Sequence, residues 1–121
     1  PLQQAIDAVL AAIPSEAIWI TIDKDVLPEH EALTNWDQGH MPLAALLAML
    51  RAAGERKRVL GADICGEYSP PRHANWLKRI ESKMDQPARD AANRQKVDDN
   101  IRTDCELARV LFDACNARAT P

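Results

Sequence analysis

Two short apolar runs, 17–22 (AIWITI) and 58–65 (RVLGADIC), stand on either side of a polar loop and a helical pattern. This order restricts the fold more than any other feature. Runs rich in β-branched residues read as strands. Strand, loop, helix, strand is a βαβ unit, so 17–23 and 58–64 are expected to lie parallel with a right-handed crossover. Neither run alternates strictly with polar residues, which predicts burial on both faces. The first run leads into Asp23 and Asp25. With a strand period of two, this pair is expected to point the same way. In open α/β sheets, ligands gather at the carboxyl ends of strands, where the pair lies. Two like charges aimed at one point repel unless a cation sits between them, and hard divalent ions such as Mg²⁺ and Mn²⁺ favour oxygen ligands. The competing reading of the same spacing is a solvated loop, with Asp25 capping a turn.

The rest of the chain supplies helices and loops around this unit. Leu2, Ile6, Val9, Leu10 and Ile13 recur at helical spacing over 2–13, and Pro14 and Ser15 end that helix. Residues 28–40 are polar, contain Pro28 and Gly39, and form a loop over the end of the first strand. Pro42 suits the first position of the next helix, whose buried face is Leu43, Leu46, Leu47 and Leu50, with Gly54 as its stop. The loop 66–71 leaves the second strand on the edge that carries Asp23 and Asp25. Trp76, Leu77, Ile80 and Met84 mark a short helix that Pro87 interrupts. A last helix over about 94–117 places Val97, Ile101, Cys105, Ala108, Phe112 and Cys115 on one stripe, predicted to be buried. Opposite it lies a charged face with i,i+4 pairs. Two strands are few for a parallel sheet, which needs cover on both faces. The chain also starts at Pro1, without a methionine, so a piece of a larger domain is expected.

Charge and cysteine usage exclude several classes. A net charge of -3 with acids and bases interleaved leaves no basic footprint for nucleic acid. No apolar run approaches the ~20 residues that span a bilayer, and the first helix carries Gln3, Gln4 and Asp7, unlike a signal peptide. Cys65, Cys105 and Cys115 are odd in number and lack metal spacing, which fits a reducing cytoplasm.

Four segments resemble the arginase/agmatinase/formiminoglutamase superfamily, the ureohydrolases. The segment 21–27 (TIDKDVL) is similar to the family's S-x-D-x-D-x-x-D-P signature. The loop 34–39 (TNWDQG) stands where the family has a glycine-rich segment, and the helix over 41–53 follows it. Residues 61–70 (GADICGEYSP) resemble G-x-D-[VI]-x-E-x-N-P. The resemblance implies a three-layer α/β/α sandwich around a mostly parallel sheet, with residues 1–121 as the C-terminal part of a single such domain. It implies two Mn²⁺ ions in the complete protein, Asp23 bridging both and Asp25 on one of them. The implied chemistry is hydrolysis of carbon–nitrogen bonds in linear amidines or guanidino compounds. The implied partner is thus a small cationic substrate, and self-association is left open.

Several positions depart from the family pattern. The family's GGDH-type histidine and D-A-H-x-D cluster have no counterpart, so the remaining ligands are expected outside these 121 residues, and this chain alone is expected to be inactive. His30, His40 and His73 lack that setting, and Val26-Leu27-Pro28 replaces the D-P. Counting from Asp63, the family's substrate-binding glutamate falls on Gly66, and Glu67, one position later, is the candidate for that role. Two other readings stand beside this one. A non-catalytic arginase-like module would keep the fold without the chemistry. A haloacid dehalogenase-like phosphatase also starts from a strand ending in D-x-D, but expects a small residue and Thr where Val26 and Leu27 stand.

Overall fold

A computed structural model describes residues 2–68, 76, 77, 80 and 93–118, with side chains from 98 onward in the last stretch. Helix α1 (Leu2–Ala12) precedes strand β1 (Ala17–Asp23), which runs straight into a 3-10 turn at Lys24–Val26. Helix α2 (Leu43–Arg56), strand β2 (Arg58–Cys65) and helix α3 (Asn93–Asn116) follow. The two strands pair in parallel, Ala17 beside Arg58 and Asp23 beside Cys65, with a bulge at Ile18/Trp19. The chain is therefore mixed α/β with a two-stranded parallel sheet, as the βαβ pattern predicted. No helix among the described residues is long and apolar enough to cross a membrane.

The core lies between the sheet, α2 and α3. Ile22, Leu27, Leu46, Leu47, Leu50, Leu107, Val110 and Leu111 form its main cluster, and Ile6 and Leu10 of α1 make a smaller one with Ala52 and Ala53. The six large aliphatic side chains that α2 and α3 bury in the main cluster each contribute roughly 1.5–3 kcal/mol. That sum is what holds a sheet of two strands, which has little stability by itself.

Burial on both faces of the strands is not found. Along β1 the residues Trp19, Thr21 and Asp23 are exposed while Ile18, Ile20 and Ile22 turn inward, and in β2 Val59 alone is buried. An apolar run records what a strand can bury, and among the described residues α1, α2 and α3 cover one face only. Gly54 does not stop α2 either. The helix runs on to Arg56, because Gly54 is where α2 meets α3: a Cβ there would sit 2.6 Å from the Cα of Ala114.

The expected buried stripe of the last helix is corrected more sharply. Ile101, Cys105, Ala108 and Phe112 face out, with Phe112 70% exposed, whereas Asn100, Thr103, Leu107, Val110, Leu111 and Ala114 face in. Both stripes have helical period, so periodicity could not choose between them. Asn100 and Thr103 disguised the true one, because each brings a polar group whose partner lies in the 28–40 loop. Asn100 donates to the Leu33 carbonyl at 2.8 Å and accepts from its N–H at 2.6 Å, and the Thr103 hydroxyl donates to the Glu31 carbonyl. Val97 lies outside the described side chains, as does most of the short helix expected around Trp76 to Met84. Of that helix only Trp76, Leu77 and Ile80 are described, and all three are exposed.

Candidate functional site at the carboxyl edge of the sheet

β1 ends because its last side chain competes for the backbone. The Asp23 carboxylate accepts the N–H of Asp25 at 3.1 Å, capping the 3-10 turn that opens at Lys24. Short Asp side chains offer the main chain this alternative to the ladder. The turn changes the expected geometry. Asp25 is no longer a strand residue, so the alternation that placed both carboxylates on one face does not extend to it, and the capping residue is Asp23 rather than Asp25. The two acids remain neighbours at the sheet's carboxyl edge.

The loop from β2 closes against them. Gly66 has φ +81°, and a Cβ there would lie 2.5 Å from Asp23 Oδ1 and 2.9 Å from the Lys24 nitrogen. Only glycine combines that left-handed backbone with so close an approach. The 28–40 loop closes the other side: Gly39 donates to the Asp25 carbonyl at 2.6 Å and Met41 to that of Val26 at 3.0 Å. Glu31 in this loop takes the N–H of Leu43 at 2.6 Å and so caps α2, whose N-cap residue Pro42 has no side-chain donor or acceptor. Trp36 and His40 are exposed on the loop.

One atom at this edge is unsatisfied. Asp25 Oδ1 is buried and has no hydrogen-bond partner among the described residues. A buried carboxylate oxygen in that state asks for a donor or a cation. Asp23 and Asp25 thus provide oxygen donors of the kind a hard divalent ion takes, and the orphaned oxygen fits such an ion. They do not complete its shell of about six ligands. Among the described residues no group of three His, Cys, Asp or Glu side chains is gathered for a metal.

Cys65 and Asp63 complete the edge and its outer face. Desolvation pushes the Cys65 thiol up, and the negative charges of Asp23, Asp63 and Asp25 push it further. It donates to the Ile22 carbonyl at 3.4 Å and stays a thiol. Asp63, inside β2, accepts from Trp19 Nε1 at 2.7 Å and from the Thr21 hydroxyl at 3.1 Å.

Glu67 already holds a cation. Lys24, between the two aspartates, is 1% exposed, with its ammonium bonded to Glu67 and, at 2.8 Å, to Asp104 of α3. The other Glu67 oxygen accepts from Asn100 at 2.7 Å. Burial raises the Glu67 pKa, but the hydrogen bonds from Lys24 and Asn100 outweigh it and hold the carboxyl below its ordinary range. Burial likewise pulls Lys24 down, and Asp104 and Glu67 together bring it above its ordinary value. Sequence reading missed this network. A lysine between two acids reads as surface, and Asp104 is too distant in the chain to share a pattern with it.

No protein-family model matches the chain. A stretch of 62 residues, 51% of the chain, is 42% identical to an uncharacterised protein of Thermotoga maritima. The match covers 25% of that protein, so the chain spans about a quarter of the length of this relative.

Proposed function

We propose that the complete protein is a metal-dependent hydrolase of carbon–nitrogen bonds in linear amidines or guanidino compounds, in which Asp23 and Asp25 are two of the metal ligands. The observation that carries this reading is the orphaned, buried Asp25 oxygen beside Asp23 at the carboxyl edge of a parallel pair of strands. The parallel strands and the resembling segments 21–27 and 61–70 agree with the larger three-layer α/β/α sheet, of which this chain supplies a part. When bound, paired Mn²⁺ ions lower the pKa of a water and polarise the group it attacks. The chain's own residues position that chemistry. Asp23 is fixed by its cap on Asp25, Gly66 lets the β2 exit close over it, and the acid-rich edge favours a cationic substrate. Glu67 is the candidate for binding that substrate, and to do so it must share its carboxylate with Lys24 and Asn100.

That existing grip of Lys24 on Glu67 favours the second reading, a non-catalytic module that keeps the fold for assembly or small-molecule binding. Turnover decides between them. The complete protein with Mn²⁺ is assayed on arginine, agmatine, guanidinobutyrate and formiminoglutamate, with an acetylated polyamine as control. Release of urea or formamide supports the hydrolase. Hydrolysis of the acetylated control alone moves the activity to deacylation, and no turnover with metal bound leaves the module. The metal assignment has its own readout: Asp23→Asn abolishes bound Mn²⁺ in the complete protein, and unchanged metal content refutes it. The 121 residues alone are expected to bind Mn²⁺ weakly, and tight stoichiometric binding in calorimetry would contradict a ligand set completed elsewhere.

A further inference from the structure

A cavity of about 530 Å³ lies beside β1. Its wall contains the six consecutive residues from Ile18 to Asp23 and none of β2, so it follows the edge of β1 that has no strand partner among the described residues. Five strand steps make it about 17 Å long. Helix α1 contributes Val9 to the wall and α2 contributes Met49, a flexible thioether that adapts to what enters. The wall is apolar except at one end. Trp19 and Thr21 both give their side-chain donors to Asp63, which is not on the wall. That leaves the Asp23 carboxylate, where β1 ends, as the one ionised group lining the cavity among the described residues. A cavity of this size, apolar with a single placed polar group, is the usual form of a small-molecule site.

We propose that this cavity takes the unbranched apolar tail of a cationic amidine or guanidino compound, with the charged head at Asp23. The head complements the one charge on the wall, and the tail lies along the apolar remainder. A second charge at the far end of the tail would leave water beside Ile13 and Ile18 without a partner, which is unfavourable. A bare alkylguanidine therefore fits better than agmatine or arginine, whose tails end in charged groups. This names the substrate class of the proposed hydrolase and rests on that reading for turnover, whereas binding rests on the cavity alone.

Nuclear magnetic resonance titrations of the 121-residue chain use propyl-, butyl-, pentyl- and hexylguanidine as probes, in EDTA so that no metal occupies Asp23. Each added methylene should tighten binding by about two- to fourfold, the upper figure being complete burial. Butylguanidine should bind about tenfold more tightly than agmatine. Val9→Trp, at an exposed position of α1, should fill the cavity and flatten the dependence on tail length, with circular dichroism unchanged. Asp23→Asn keeps an oxygen for the cap on Asp25. It should weaken hexylguanidine by about two- to fivefold, as for an exposed ion pair, and leave the methylene increment intact. Affinity independent of tail length, agmatine equal to butylguanidine, or native binding by Val9→Trp overturns the proposal. So does hexylguanidine binding by this chain that the complete protein lacks, because further residues of that protein then fill the cavity. Turnover by the complete protein with Mn²⁺ separates the two readings. Agmatine hydrolysed in preference to the alkylguanidines overturns the role of the cavity and leaves the hydrolase standing. Length-dependent binding without turnover supports the cavity and leaves the non-catalytic module.

Discussion

Lys24→Met removes the charge of the most buried ionisable side chain among the described residues while keeping most of its apolar stem. In the native chain its ammonium joins three elements: the turn after β1, the exit loop of β2 and α3. Hydrogen bonds to charged groups contribute about 1.5–3 kcal/mol each. The full loss of two is not expected, because the carboxylates left behind can rehydrate: the side chain of Glu67 is 56% exposed and that of Asp104 36%. Breaking a fully buried pair costs about 3–5 kcal/mol, and an exposed pair at most about 1. This network lies between them, so Lys24→Met should cost about 2–3 kcal/mol in urea unfolding followed by circular dichroism. Because the charge is buried, the loss should persist in 1 M salt, unlike that of a surface pair. A double-mutant cycle with Asp104→Asn should return a coupling of about 1 kcal/mol. A cost below about 0.5 kcal/mol, or additivity of the two substitutions, would refute the view that this network ties α3 to the sheet.

Gly66→Ala should destabilise by about 2–4 kcal/mol, from left-handed strain plus a clash with the Asp23 turn, measured as a shift in urea midpoint at constant slope. Acid should weaken the fold through Glu67. Its folded pKa is lowered, so the stability it contributes is present above the ordinary value of 4.5 and is lost as pH falls through the folded value. Alkali should act through Lys24, whose raised pKa gives stability that is present below 10.5 and lost as pH rises through the folded value. Urea titrations across both ranges check this, and in Lys24→Met both dependences should flatten.

The strands and their parallel pairing were legible because β-branched runs and an intervening helix leave few topologies open. The ends of β1 and β2 and the 24-residue reach of α3 follow from the same local signals. What stayed hidden depends on contacts between distant segments. Asp25 left the strand because the Asp23 carboxylate captured its N–H, a competition that alternation alone does not weigh. Gly54 looked like a helix stop because nothing local announces Ala114 across the interface. Helix α3 presented two stripes, and the buried one contained Asn100 and Thr103, whose partners appear only after folding.

The pairing of Asn100 with Leu33 also sets how the chain breathes. One carboxamide occupies both the N–H and the carbonyl of a loop residue, as a neighbouring strand would. The Leu33 amide therefore exchanges its hydrogen only when this contact between loop and helix opens, so its exchange rate reports the parting of the loop from a residue that follows it by 67 positions. The loop over the acidic edge and the last helix are tied through these contacts, and whatever holds α3 in place also steadies the loop that donates to the Asp25 carbonyl.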